Sequence, residues 1–241
     1  MCRDLFEILV LNGRPASGKS EVIDYLKKTP LEERKKRFHI GIMDEIDDFP
    51  MLWTWFEQDA ILEKIMNKPR MQSTKDGLFL YEYQWHLLIE RISMEYSKRL
   101  RDIEDYHHER TALIEFSRGT EHGGYVDAYS HLSDAILKKA AIFYIDVSYE
   151  ESLRKNRKRF NPHKPDSILE HGLPDWKLER LYKEVDWDVF KGDDPEFIEV
   201  KGHMVPYVVL ENEEDITTAR DEKLGSALDE LFGRLWEISN R

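Results

Sequence analysis

The sequence predicts a three-layer α/β/α domain in which five parallel strands alternate with helices. Two observations predict it. Five short apolar runs, at 6–11, 38–42, 112–116, 141–145 and 207–210, are too short and too evenly apolar for amphipathic helices and read as strands covered on both faces. Helical segments separate them, and that alternation builds a doubly wound sheet.

Taken in order, the first strand runs into a glycine-bounded turn and then a helix over 18–28. The second strand, 38–42, is followed at once by Asp44, Glu45, Asp47 and Asp48. The stretch 44–110 exceeds what a crossover needs and predicts a helical insertion. Its long helix covers about 79–105, with Trp85, Ile89, Ile92, Tyr96, Leu100 and Ile103 on one face. After the fourth strand, Ser148 and Glu151 form a capping box that starts another helix. The stretch 148–203 is rich in Pro, His, Asp and Trp beyond 160 and predicts a lid and a partly irregular cap. The last strand leads to a helix whose Leu224, Leu228, Leu231, Leu235 and Ile238 recur at spacings of 4, 3, 4 and 3, one apolar stripe. With no repeat or Gly/Ser linker in view, 1–241 is expected to form a single domain carrying both additions.

Composition narrows the function classes. The 241 residues hold 36 Lys+Arg against 48 Asp+Glu, a formal net charge of −12, and 41% are hydrophobic. That apolar share supplies a core and excludes general disorder. The acid surplus argues against broad binding to nucleic acid or anionic membrane, which needs surplus Lys and Arg. A small anion held at a local cationic site remains compatible with it. The single cysteine, Cys2, allows no intramolecular disulfide and suggests a reducing compartment. No apolar stretch reaches membrane-spanning length, so a cytoplasmic protein is expected, with a homodimer left open. The nine histidines show no metal-ligand spacing.

The chemistry-bearing motif is Gly13-Arg14-Pro15-Ala16-Ser17-Gly18-Lys19-Ser20, which matches G-x-x-x-x-G-K-[ST] between a strand and a helix. Gly13 and Gly18 permit a tight turn whose N–H groups, with those of Ala16 and Ser17, converge on phosphate oxygens. The helix that follows points its positive end at the same anion. Lys19 reaches the β- and γ-phosphates, and the Ser20 hydroxyl can ligate Mg²⁺.

With that motif, the acids of Met43-Asp44-Glu45-Ile46-Asp47-Asp48, the Glu115-x-x-Arg118 pair and the basic run at 154–159, the chain resembles the P-loop kinases of nucleosides, nucleotides and small metabolites. The resemblance implies ATP and Mg²⁺ as donor and cofactor, and a small-molecule acceptor. It places an acid after the second strand, Asp44, beside the acceptor hydroxyl. It makes Glu115 the Walker-B-like acid that orients Mg²⁺ through water, and Arg118 the holder of the acceptor. Arg154 and Arg157, in a stretch with Lys155, Lys158, Arg159 and Lys164 but no acid, become lid arginines over the transferring phosphoryl group. Asn212, just after the last strand, falls where such kinases contact adenine. Trp53, Trp55, Phe56, Tyr81, Tyr83 and Trp85 either stack on a planar acceptor or form the core of the insertion. A nucleoside or nucleotide acceptor is favoured over a sugar. The alternative is a nucleotide-binding regulatory protein that transfers nothing. A GTPase switch would need N-K-x-D, and Asn67-Lys68-Pro69-Arg70 lacks the aspartate.

Overall fold

Alternate residues of strand β1 (Ile8–Gly13) face opposite sides of the sheet, and each side has its own core. Ile8 and Val10 join Ile92 and Tyr96 of α4 (Tyr83–Asp102) and Tyr125 and Tyr129 of α5 (Gly124–Ser130). Leu9 and Leu11 join Val22 and Leu26 of α1 (Lys19–Lys28) and Leu228 and Phe232 of α10 (Glu222–Ser239). A strand buried on both faces reads as a continuous apolar run, which is why the sequence reveals it.

The computed structural model describes residues 4–159, 163 and 172–241; Cys2 and Lys164 lie outside them. The remaining elements are α2 (Leu31–Phe38), β2 (Ile42–Asp47), α3 (Asp48–Lys64), β3 (Arg110–Glu115), α6 (Asp134–Leu137), β4 (Ala140–Asp146), α7 (Tyr149–Arg159), α8 (Asp175–Tyr182), α9 (Trp187–Lys191), β5 (Phe197–Val200) and β6 (His203–Glu211). The sheet order is β2-β3-β1-β4-β6-β5. All neighbours are parallel except β5, which is antiparallel to β6. The chain leaves β1 toward β3 and β2 on one side and toward β4 and β6 on the other. The crevice at the carboxyl ends of such a switch point is where open α/β sheets bind ligands.

Three expectations need correction. The sheet has six strands rather than five parallel ones, because β5 folds back on β6 through Lys201 and Gly202, both at positive φ (52° and 79°). That is the conformation of a tight hairpin turn, which Lys-Gly signals poorly. The second strand is also not 38–42. Phe38 closes α2, with His39 in the left-handed conformation as its cap, and the strand is Ile42–Asp47. Only Ile46 of that edge strand is buried, so acids are tolerated in it and the apolar-run criterion passes over it. In α4, Trp85, Ile89, Ile92 and Tyr96 are buried as expected, but Leu100 is exposed and Leu88 takes a core position.

Phe232 sits among the rings of Phe6, Phe38 and Phe143, with centroids 6.3, 5.9 and 4.7 Å away. Replacing it with alanine is expected to cost about 3–5 kcal/mol, read as a lower urea midpoint at an unchanged m-value.

Candidate active site

The loop between β1 and α1 has the backbone of an anion cradle. Gly13 has φ 145°, and a Cβ there would stand 2.5 Å from the Ile145 carbonyl oxygen. Gly18 has φ 121°, and a Cβ there would stand 2.5 Å from Thr217 Oγ1. Ala16 between them is left-handed, at φ 57°. No side chain caps the N-terminus of α1, so its first N–H groups and positive dipole end face the loop. Ser17 Oγ is buried without a hydrogen-bond partner among the described residues. A phosphate group would engage donors of this kind.

Beside the loop lies a cluster of desolvated charge. The Lys19 ammonium donates to the carbonyls of Gly13 and Arg14 (both 3.1 Å) and to Ser117 Oγ (2.8 Å). It lies 3.9 Å from Glu115 Oε1. Burial pulls the Lys19 pKa down, and the carboxylates of Glu115, Asp47 and Asp48 oppose that fall. Burial likewise pushes Glu115 up, against the attraction of Lys19. Asp47 is paired in register with Glu115 across β2 and β3. It is pushed up to about 8, first by burial, then by the negative charges of Glu115 and Asp48. Its Oδ1 also accepts from Phe49 N (2.9 Å), capping α3. Asp48, raised by burial, forms a 2.6 Å ion pair with Arg118, whose side chain is only 2% exposed.

These groups border one cavity of about 400 Å³. Its floor is the P-loop and its acidic wall is Asp47, Asp48 and Glu115. Its far side is Phe49, Leu52 and Phe56 of α3, Trp85 of α4, and Leu181 and Tyr182 of α8. Arg14 ties floor to far side, donating to the carbonyls of Val147 (2.7 Å) and Tyr182 (3.2 Å).

The structure brings together Gly18, Lys19, Ser20, Glu115 and Arg118 at this cavity, with Gly13 and Ser17 buried in the loop beneath. It does not bring Asp44 there. Asp44 lies three residues before the end of β2, where its carboxylate accepts from Arg99 Nε (2.9 Å) and Tyr106 Oη (3.0 Å). Because the strand runs further than the apolar run suggests, the acids at its carboxyl end are Asp47 and Asp48.

Arg154 pairs with Glu151 (2.6 Å) and Asp215 (3.0 Å), and Arg157 with Asp175 (2.7 Å); neither lines the cavity. One turn on, Arg159 does, and its charge acts on both Lys19 and Glu115. Asn212 is fully buried behind the loop rather than open to a base. Its Nδ2 donates to Ser17 O (2.7 Å) and Thr217 Oγ1 (2.9 Å). Lys155 braces the same segment through Asp215 Oδ1 (2.7 Å) and Thr217 Oγ1 (3.0 Å).

The donor set suits a magnesium nucleotide. The Ser20 hydroxyl and the Glu115 carboxylate are hard oxygen ligands at the loop. Among the described residues no group of three or more His, Cys, Asp or Glu forms a metal cage of its own. Mg²⁺ is commonly held by one or two protein oxygens together with substrate phosphates. No helix among the described residues is long and apolar enough to cross a membrane.

No protein-family model and no curated protein matches this chain. Among solved structures it is similar to a sugar kinase from Janibacter sp. HTCC2649, at 12% identity and a TM-score of 0.42, covering 95% of this chain and 97% of that one. It is also similar to a shikimate kinase from Acinetobacter baumannii in complex with shikimate, at 15% identity and 0.42, covering 92% of each. Likenesses this distant assign no activity.

The raised Asp47 carboxyl has a consequence for stability. From the ordinary 3.8 up to about 8, the folded protein keeps a proton that the unfolded chain has released, so stability falls as pH rises through that window. In the ligand-free protein, Asp47→Asn is expected to raise the melting temperature at pH 8.5 and to change it little at pH 4. Thermal melts across that range check it.

Proposed function

We propose that this protein is an ATP- and Mg²⁺-dependent phosphotransferase that moves the γ-phosphoryl group to a hydroxyl of a small molecule. One observation carries the reading. The ends of β1, β2 and β3 gather a P-loop lysine, a carboxyl pushed up to about 8 and the Glu115 carboxylate around one cavity.

The residues divide the work by position. The P-loop N–H groups and Lys19 receive the phosphates. In doing so Lys19 exchanges the carbonyls of Gly13 and Arg14 for phosphate oxygens, while Ser117 remains within its reach. Ser20 and Glu115 would hold Mg²⁺, which supplies charge neutralisation at the phosphates.

Asp47 accepts the proton of the acceptor hydroxyl. That oxygen bonds to the γ-phosphorus as the bond to the bridging oxygen breaks, and ADP leaves. A base titrating near 8 is well matched to this task near neutral pH. Arg159 adds positive charge at the phosphate end. The Arg118–Asp48 pair fixes the junction between phosphate site and acceptor wall. Phe49, Phe56 and Trp85 on that wall favour a ring-bearing acceptor such as a nucleoside over a sugar.

Measured as acceptor-stimulated ADP release, Lys19→Ala is expected to abolish turnover. Asp47→Asn is expected to lower kcat by about 10²-fold or more with ATP affinity retained, whereas Asp44→Asn keeps kcat within about threefold. A kcat loss at Asp44 with none at Asp47 would overturn the assignment of the base.

A further inference from the structure

We infer that the acceptor is an uncharged alcohol carrying a flat ring, and that phosphorylated and carboxylated acceptors and free sugars are rejected. This rests on the phosphotransferase reading and concerns the half of the cavity away from the P-loop.

The wall there is built from Phe49, Leu52, Phe56, Leu78, Trp85 and Leu181. It is held rigid. Phe79 meets the rings of Phe56 and Trp85 edge-on, with centroids 5.2 and 4.8 Å away. Trp85 is stacked on His122 at 3.9 Å, and burial holds that histidine near pKa 3, so it stays neutral. Such a surface gains from apolar ring area and offers a sugar few partners for its several hydroxyls, which lose water on entry.

The cations on this side are already committed. The Arg118 guanidinium is paired with Asp48 at 2.6 Å and also donates to the carbonyls of Ser117 (2.7 Å) and Trp85 (3.3 Å). Lys177 donates to the Gly77 carbonyl (3.2 Å), and burial lowers its pKa. Around the whole cavity, the described lining holds six carboxylic residues against five cationic ones. Among the described residues, an anionic acceptor would therefore meet no uncommitted cation on this wall and would sit close to Asp47 and Asp48. Burying a charge without a partner is costly enough to reject it. A neutral ring-bearing alcohol meets neither obstacle, and its reacting hydroxyl finds Asp47.

The test is a panel of ADP-release assays on the full-length protein with Mg²⁺ and ATP. The acceptors are 2-phenylethanol, thymidine, glucose, shikimate and a nucleoside monophosphate. Higher kcat/KM for 2-phenylethanol and thymidine than for the other three, by about tenfold or more, is the expected result. Preference for glucose, shikimate or the monophosphate would overturn the acceptor class and leave the phosphotransferase reading standing. No stimulation by any acceptor, with Mg²⁺–ATP bound, would overturn both. Leu52→Asp places a charge on the wall and is expected to raise the KM of the preferred alcohol about tenfold or more. An unchanged KM in that variant would also overturn the assignment.

Discussion

The structure depends on a buried ammonium group. Lys19 emerges from the first turn of α1 into a space where burial disfavours its charge. It stays tolerable there only because three acceptors and a cluster of carboxylates surround it. Those partners come from the ends of three different strands, so the sheet order is what makes the cluster possible. With β1 between β3 and β4, and β2 outside β3, the carboxyl ends of β1, β2 and β3 fall side by side. The two apolar cores lock that order in place.

The same cluster explains the uneven acidity of the site. Three carboxyl groups share a poorly hydrated region with one lysine and one committed arginine, so not all of them hold full negative charge comfortably. Asp48 has Arg118 against it and Glu115 has Lys19. Burial pushes all three up, Asp47 to about 8, where the negative charges of Glu115 and Asp48 add to the rise. Differences in acidity among like residues thus follow from packing rather than from residue type.

The sequence makes some of this legible and hides the rest for physical reasons. The P-loop is readable because glycines at Gly13 and Gly18 are the only residues that fit their backbone and their crowded surroundings. Buried strands β1, β3, β4 and β6 are readable because both of their faces are apolar. β2 is not, since one edge and much of its surface meet solvent, so the apolar run at 38–42 points to a strand that starts too early and to Asp44 rather than Asp47 at its carboxyl end. The surroundings of Arg154, Arg157 and Asn212 are hidden for another reason. Beyond the local Glu151–Arg154 pair, their partners Asp215, Asp175 and Ser17 lie 61, 18 and 195 residues away in sequence, and no local pattern announces those pairings. The charge run at 154–159 is in large part a brace for the segment behind the P-loop, with Arg159 the member that faces the cavity.

The central claim is that this cradle receives the phosphates of a magnesium nucleotide. Isothermal titration calorimetry of the full-length protein with a non-hydrolysable ATP analogue, with and without Mg²⁺, tests it most directly. Binding to one site that strengthens with Mg²⁺ is the result the account predicts. A protein that binds neither this analogue nor its GTP counterpart in the presence of Mg²⁺ would contradict it.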